Sequence, residues 1–193
     1  MHLQASTGSH APRLLAFTAV AALAVLAAAA CGGGTASTPT PATSASVTSV
    51  TAPVDGIPCE SNEQLTYHIH AHLWIFVDGN AVTVPAGTGI HPGRGCIFWL
   101  HTHDTTGVIH IEAPTQRTFT LGQFFDIWGQ PLSATDLLGH RTDASHQIRT
   151  YVDGQPYTGD PARISLGAHT DIVVEYGPPF PATPAPFSFP PGL

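Results

Sequence analysis

Aliphatic side chains recur at every second residue along residues 67–77, which is the pattern of a β-strand with one face toward a core. These aliphatic residues are Ile69, Ala71, Leu73, Ile75 and Val77. The residues between them are His68, His70, His72, Trp74 and Phe76. We therefore predict a strand that presents three imidazoles and two aromatic rings, together called the His face, away from the aliphatic core.

Residues 96–112 show the same alternation on both sides of a turn predicted at residues 104–107. The aliphatic and aromatic set contains Phe98, Leu100, Ile109 and Ile111. The other set contains Trp99, His101, His103, His110 and Glu112. With this turn, His101 lies opposite His110 and His103 lies opposite Val108, and directly opposed residues share a face of the sheet. We therefore expect this hairpin to add three His and one acid to a single surface.

A helical period replaces the strand period after Thr120. Large apolar residues follow at positions i, i+3, i+4 and i+7, namely Leu121, Phe124, Phe125 and Trp128. Thr120 and Gln123 fit a capping box at the start, and Gly129 fits the residue that ends a helix. The sequence predicts one helix over residues 120–129 and a further helical turn over residues 133–139.

Asp-Gly pairs at residues 78–79 and 153–154 predict tight hairpin turns. A strand pattern follows the first turn at residues 81–84, and another precedes the second turn at residues 147–152. A further strand pattern covers residues 171–176. With about six strands and one amphipathic helix, the sequence predicts an α+β fold in which the helix packs on the aliphatic face of a mostly antiparallel sheet. The order of strands around one helix resembles β-grasp domains. The alternative is an all-β sandwich.

The first 30 residues follow a different pattern. Arg13 precedes an apolar run over residues 14–30 that only Thr18 interrupts, and Cys31 comes directly after this run. This layout resembles a bacterial lipoprotein signal, which implies cleavage before Cys31 and a lipid on that residue. The alternative is an uncleaved anchor, since about 17 apolar residues lie at the short end of a bilayer span. Either would export the chain and hold it at the outer face of the cytoplasmic membrane or cell envelope.

Composition divides the rest of the chain into three parts. Residues 31–54 are rich in Thr, Ser, Ala, Pro and Gly, which predicts a flexible linker. Residues 55–177 have the size of a single domain with one core. Residues 178–193 form a Pro-rich tail that cannot make a helix or a ladder, and we expect this tail to be disordered. The alternative is that Phe180, Phe187 and Phe189 dock on the domain.

The charged residues are mostly acids, with 13 Asp and Glu against six Arg and no Lys, for a formal net charge of −7. An acidic surface without Lys is a poor match for phosphate backbones, so nucleic acid is not an expected partner. Ten of the twelve His follow Cys31. Twice as many His as Arg in the exported part indicates metal or proton chemistry.

Two cysteines, Cys59 and Cys96, remain after Cys31 is assigned to the lipid. Disulfides persist outside the reducing cytosol, so we expect these two to form a bridge. The alternative is that one of them binds metal, which requires a free thiolate.

Two strand segments thus bring His to same-facing positions, and imidazole is a common ligand of transition metals. The predicted ligands are His101, His103 and His110, with His68, His70 and His72 from an adjacent strand. Three alternate residues span about 13 Å, so all three of one strand do not share one ion, and two ions also fit the pattern. Glu112 and Asp104 are expected to ligate or to accept the second ring N–H of a ligand His.

The predicted metal is Cu(II) or Zn(II). Met1 is the only Met and leaves with the signal, which removes the thioether ligands typical of Cu(I) carriers. A Cys59–Cys96 bridge would also remove thiolate. Nitrogen ligands then favour copper or zinc, with copper ahead in the order of affinity.

The sequence favours a surface-tethered protein that binds copper or zinc. The alternative is a metalloenzyme at the same site, using zinc hydroxide or copper redox chemistry with Glu112 or Asp104 as a proton shuttle. A third possibility is a protein-interaction domain, because Trp74, Phe76 and Trp99 are residue types common at interfaces.

Overall fold

The computed structural model describes residues 52–193. The predicted signal, Cys31 and residues 31–51 of the predicted linker lie outside the described residues, so the lipoprotein assignment stays a prediction. Within the described range, no helix combines the length and the apolar character needed to cross a membrane.

Short strands and one α-helix make up the described part of the chain. The strands are β1 (Cys59–Glu60), β2 (Tyr67–Val77), β3 (Asn80–Val82), β4 (Ile90–His91), β5 (Cys96–Phe98), β6 (Leu100–His101), β7 (Val108–Ala113), β8 (Leu132–Ser133), β9 (Asp136–Leu137), β10 (His140–Arg141), β11 (Gln147–Val152), β12 (Gln155–Tyr157) and β13 (Asp171–Gly177). The helix α1 (Leu121–Trp128) lies between β7 and β8, and two short 3-10 helices cover Pro92–Arg94 and Pro161–Arg163.

The largest sheet has seven strands in the order β12–β11–β13–β2–β7–β6, with β3 paired to one end of β2. Strands β13 and β2 run parallel, and the other pairings in this sheet are antiparallel. Two small sheets, β1–β5–β4 and β10–β9–β8, complete the described fold. The predicted α+β class, mostly β with one helix, is confirmed. The resemblance to β-grasp domains is not confirmed.

The aliphatic face of β2 is buried, as its period predicts. Ala71, Leu73 and Ile75 are at most 3% exposed, and they share one core with Ile109 and Ile111 of β7. The helix contributes its large apolar residues to the same core, namely Leu121, Phe124 and Phe125. Burying one such side chain stabilises the fold by about 1.5–3 kcal/mol. This core therefore fixes which side of the sheet carries the His.

The ends of α1 match the prediction. The Thr120 hydroxyl accepts a hydrogen bond from the Gln123 N–H, and the Gln123 side chain accepts one from the Thr120 N–H. Gly129 ends the helix in the left-handed conformation, at φ 74°. The predicted Asp-Gly turns are also present, because Asp78 and Asp153 both have φ 50°.

Residues 96–101 do not form one continuous strand. The chain leaves the small sheet after β5 and enters the large sheet at β6, with Trp99 at the break. The Trp99 ring packs toward the core, edge-on to Phe119, and its Nε1–H donates a 3.0 Å hydrogen bond to Glu60 Oε2. The prediction that Trp99 shares a face with His101 is therefore wrong.

The predicted helical turn at residues 133–139 is also wrong. Strands β8, β9 and β10 form a small antiparallel sheet there instead. Leu138 and Gly139 have φ 56° and 88°, which a right-handed helix cannot accommodate. The Asp136 carboxylate accepts a hydrogen bond from the Gly139 N–H and stabilises this reversal.

The Pro-rich tail packs against the domain through its Phe residues, which is the alternative to the expected disorder. Phe187 stacks face to face on the His72 ring with centroids 3.8 Å apart, and its N–H donates to Asp171 Oδ2 at 2.9 Å. Phe180 lies against the Arg149 guanidinium, with Cζ 3.7 Å from the ring centroid. Aromatic rings therefore hold the tail where Pro excludes regular structure.

The predicted disulfide between Cys59 and Cys96 is confirmed, with Cα atoms 5.3 Å apart. It joins β1 to β5, where Cys59 also pairs with Phe98. The bridge closes a loop whose ends are 37 residues apart in sequence. It therefore ties the start of the domain to the strand that leads into β6.

We expect a Cys59→Ala/Cys96→Ala variant to lose about 2–4 kcal/mol of unfolding free energy, because the unfolded chain regains the entropy of that loop. Urea denaturation at pH 7 under oxidising conditions measures this loss. A Cys31→Ser variant is the matched control, and it should unfold like the parent. Equal stability of the double variant and the parent would contradict the prediction.

Candidate metal centre

Three imidazoles lie side by side across three strands. His70 of β2 is the direct partner of His110 of β7, and His110 is the direct partner of His101 of β6. In the next row, His68 pairs with Glu112. Neighbouring strands lie about 4.8 Å apart, so this register alone brings the rings into contact range. The predicted pairing of His101 with His110 is confirmed.

The side chains form two possible ligand groups, each with ligand atoms within 4.8 Å of one another. The first, called the His101 group, contains His101, His103, His110 and Glu112. The second, called the His68 group, contains His68, His70 and His110. His110 therefore belongs to both.

Distances in the His101 group suit a tetrahedral metal ion. Bonds of 2.0–2.1 Å in a tetrahedral site place neighbouring ligand atoms roughly 3.3–3.4 Å apart. The two Nε2 atoms of His101 and His103 are 3.2 Å apart, and His110 Nδ1 lies 3.5 Å from Glu112 Oε1. His101 Nε2 lies 3.8 Å from the same oxygen. Shifts of well under 1 Å would bring these three contacts to tetrahedral spacing.

The backbone fixes which nitrogen of His101 is available. Its Nδ1 lies 2.9 Å from the Phe98 carbonyl oxygen, which can only accept, so Nδ1 carries the proton. The Nε2 lone pair then points toward His103 and Glu112. A ligand His with its other nitrogen held by a carbonyl is the usual arrangement in metal sites.

Burial keeps two of the imidazoles neutral. Burial lowers the pKa of His101 to about 4, although the hydrogen bond to the Phe98 carbonyl and the charge of Glu112 both act to raise this pKa. Burial, followed by the neighbouring His110 and His68, also lowers the pKa of His70 to about 4. Both rings therefore offer a lone pair at neutral pH, which is the form that binds metal.

Glu112 stays ionised beside them. Burial alone would raise the pKa of this carboxyl group, but His110, His101 and His68 together hold the pKa below its usual value. Its Oε1 lies 3.2 Å from His68 Nε2. The cluster therefore contains one buried negative charge close to the neutral ring of His101, which favours a cation.

Three polar atoms of the cluster are buried without a hydrogen-bond partner: His70 Nε2, His110 Nδ1 and Glu112 Oε2. In the part of the chain that the structure describes, two further buried side-chain atoms share this condition, Trp74 Nε1 and Glu175 Oε1. Each unsatisfied atom costs about 1–3 kcal/mol. A bound metal ion would satisfy the lone pairs in this cluster, so the residues present fit such an ion.

The ligand cluster has a buried part, here called the base, and a solvent-exposed part, here called the rim. His101, Glu112 and His70 are at most 5% exposed. The side chains of His68 and His103 are 36% and 44% exposed. The rim residues can therefore contact solvent while the base stays dry, which gives an ion a route to the buried ligands.

Two predicted residues are not brought into either ligand group. His72 has both ring nitrogens engaged by oxygens, Nδ1 at 2.9 Å from Asp171 Oδ1 and Nε2 at 2.9 Å from the Thr106 carbonyl. Asp104 is exposed, and its Oδ1 accepts the Thr106 N–H at 2.8 Å inside its own turn. His72 thus has no lone pair directed at a metal, and Asp104 shapes the loop after His103.

His103 reaches the site from a loop, because β6 ends at His101. The predicted strand pairing of His103 with Val108 is therefore wrong, although its ring still meets His101. Sequence analysis did not identify Glu63, whose Oε1 lies 3.6 Å from His103 Nε2. Glu63 precedes β2 in an irregular segment, where no periodic pattern could have indicated its position.

Comparison of the chain with protein-family models, with curated proteins and with solved structures finds no match. The chemistry of the site therefore rests on the geometry of its own residues. A set of imidazoles around a buried carboxylate can coordinate a divalent transition metal.

We expect the metal-free protein to lose stability as the pH falls from 6.5 toward 4. The pKa values of His70 and His101 are about 4 in the folded state and 6.5 in the unfolded state, so at these two residues only the unfolded chain binds protons in this window. Urea denaturation in EDTA at several pH values measures the effect.

The same series on a His101→Gln variant should show a shallower loss, since one of the two depressed groups is gone. A His140→Gln variant is the matched control, because His140 is exposed and belongs to neither ligand group. A His101→Gln slope identical to that of the parent would contradict the assignment.

Proposed function

We propose that this protein binds Cu(II) or Zn(II) while tethered at the cell surface. The observation that carries the proposal is that both ligand groups contain buried ligand atoms without a hydrogen-bond partner, from His110 and Glu112 in the His101 group and from His70 in the His68 group. Buried polar groups in folded proteins almost always have partners. A divalent ion is the partner that suits imidazole nitrogens and a carboxylate oxygen within each other's reach, as in the His101 group.

The ligand types support copper or zinc over other ions. Imidazole suits copper, zinc, nickel and iron, whereas magnesium and calcium prefer oxygen ligands. The Cys59–Cys96 disulfide leaves no thiolate there for a metal, and the chain contains no Met after Met1. Nitrogen-rich coordination without sulfur favours Cu(II) or Zn(II), and copper binds such ligands more tightly than zinc.

The arrangement suits capture of an ion from solvent. In each group an exposed ring, His103 or His68, meets the ion first, and a buried ring, His101 or His70, completes its coordination. Because the pKa of each buried ring is about 4, no proton has to leave these two ligands at neutral pH. The Glu112 carboxylate reduces the charge that the ion brings into a buried position.

The tether belongs to the same proposal. A lipid on Cys31 would hold the domain at the outer face of the cytoplasmic membrane or cell envelope, with residues 31–54 as the spacer. The Cys59–Cys96 disulfide supports export, because such bridges persist in oxidising compartments. A metal-binding domain placed there would meet ions before they reach the cytoplasm.

We expect the purified full chain to retain copper or zinc after desalting at pH 7, and a His101→Ala/His103→Ala variant to bind it at least about 100-fold more weakly. Loss of a single residue that hydrogen-bonds to a metal ligand lowers metal affinity by about 10–100-fold, so loss of two ligands should lower the affinity by more than that. Elemental analysis and competition with a chelator of known affinity measure both quantities.

A His140→Ala/His146→Ala variant is the matched control, because it removes two His that belong to neither ligand group. Its affinity should equal that of the parent. If the His101→Ala/His103→Ala variant binds the ion as tightly as this control does, the proposed site is wrong.

For the tether, we expect a Cys31→Ser variant expressed in a bacterial host to lose both incorporation of labelled fatty acid and partition into the detergent phase. Metabolic labelling and detergent phase separation of the full chain measure this. The Cys59→Ala/Cys96→Ala variant should keep the label. Equal labelling of Cys31→Ser and the parent would rule out lipidation at this residue.

A further inference from the structure

His110 occupies a special position among the ligands. Strand β7 lies between β2 and β6, so His110 has His70 as its direct neighbour on one side and His101 on the other. The His68 group extends along β2, and the His101 group extends along β6 and the loop beyond it. The two groups thus lie on opposite sides of β7, and His110 is the residue they share.

The ring of His110 meets one member of each group edge-on. Its centroid is 4.5 Å from that of His70 at an interplanar angle of 90°, and 4.4 Å from that of His103 at 84°. An imidazole ring has two nitrogens, and each can hold one ion in the ring plane. A ring between two ligand groups can therefore serve both at once, with one nitrogen for each.

Negative charge is available on both sides. Glu112 Oε1 lies 3.2 Å from His68 Nε2 and 3.8 Å from His101 Nε2, so the carboxylate contacts both groups. Its Oε2 is buried without a hydrogen-bond partner. Glu63 adds a second carboxylate at 3.6 Å from His103. These charges oppose the repulsion between two divalent ions held close together.

We propose that the site holds two divalent ions, one on each side of β7, and that His110 bridges them as an imidazolate. The inference rests on the proposed function and deepens it. On bridging, the imidazole ring releases its last N–H proton to solvent, and a metal–nitrogen bond forms at the nitrogen that carried it. No oxidation or reduction is involved.

The experiment is a titration of the metal-free full chain with copper(II) chloride at neutral pH, followed by elemental analysis and electron paramagnetic resonance. The parent should bind two ions per chain. Its resonance signal should grow up to the first ion and then fall as the second binds, because a bridging imidazolate couples the two unpaired spins in opposition.

Two variants test the shared ligand. His110→Ala should bind no more than one ion, with a resonance signal equal to its copper content. His68→Ala alters an exposed rim residue, so folding is not at risk, and it should lose the second ion together with the spin coupling. His140→Ala should behave like the parent, and circular dichroism checks that each variant is folded.

The outcomes separate this inference from the proposed function. Saturation of the parent at one ion with full signal would overturn the two-ion site and leave the proposed function standing. Two ions with a signal equal to the total copper would overturn the bridge. No retained ion would overturn both.

Discussion

The register of β7 against its two neighbours is the constraint on which the site depends. Alternate residues of a strand face opposite sides, so a slip by one residue would move every His of that strand into the core. The aliphatic residues prevent this slip, because Ala71, Ile109 and Ile111 are fully buried against the core. The free energy that fixes the register comes from apolar burial, and the ligand cluster inherits its geometry from it. The fold can thus hold buried imidazoles in contact that would not assemble on their own.

A second link connects the disulfide to the ligand geometry. The Cys59–Cys96 bridge fastens β1 to β5, and β5 ends at Phe98, which also pairs with Cys59. The Phe98 carbonyl then holds His101 Nδ1, which leaves the Nε2 lone pair for the metal. A covalent restraint thus lies two residues from the group that sets the tautomer of a buried ligand. This proximity explains why the entry strand is tied to the centre of the fold rather than left free.

The elements that local patterns determine could be predicted from the sequence. The bounds of β2 follow from the alternation of its side chains, and the ends of α1 follow from its capping residues. The pairing of His101 with His110 follows from the length of the turn between them. The disulfide could be predicted because disulfides persist outside the cytosol and because two cysteines remain once Cys31 is assigned to the lipid. The break at Trp99 could not be predicted, because it depends on Glu60 and Phe119, which contact the ring only after folding.

The alternation of side chains along a strand could not predict where the ligand cluster ends. His68, His70 and His72 have equivalent positions in the pattern, yet their partners on β7 are Glu112, His110 and Val108. At His72 the neighbour is apolar, and β13 supplies Asp171 on the other side. Asp171 is 99 residues away in sequence and also holds the N–H of Phe187, so the tail covers this ring. A strand pattern states which face a residue occupies, whereas the partner strand decides whether that residue meets a ligand or an aliphatic side chain. The His face is thus divided by its neighbours into a part suited to metal and a part suited to the tail.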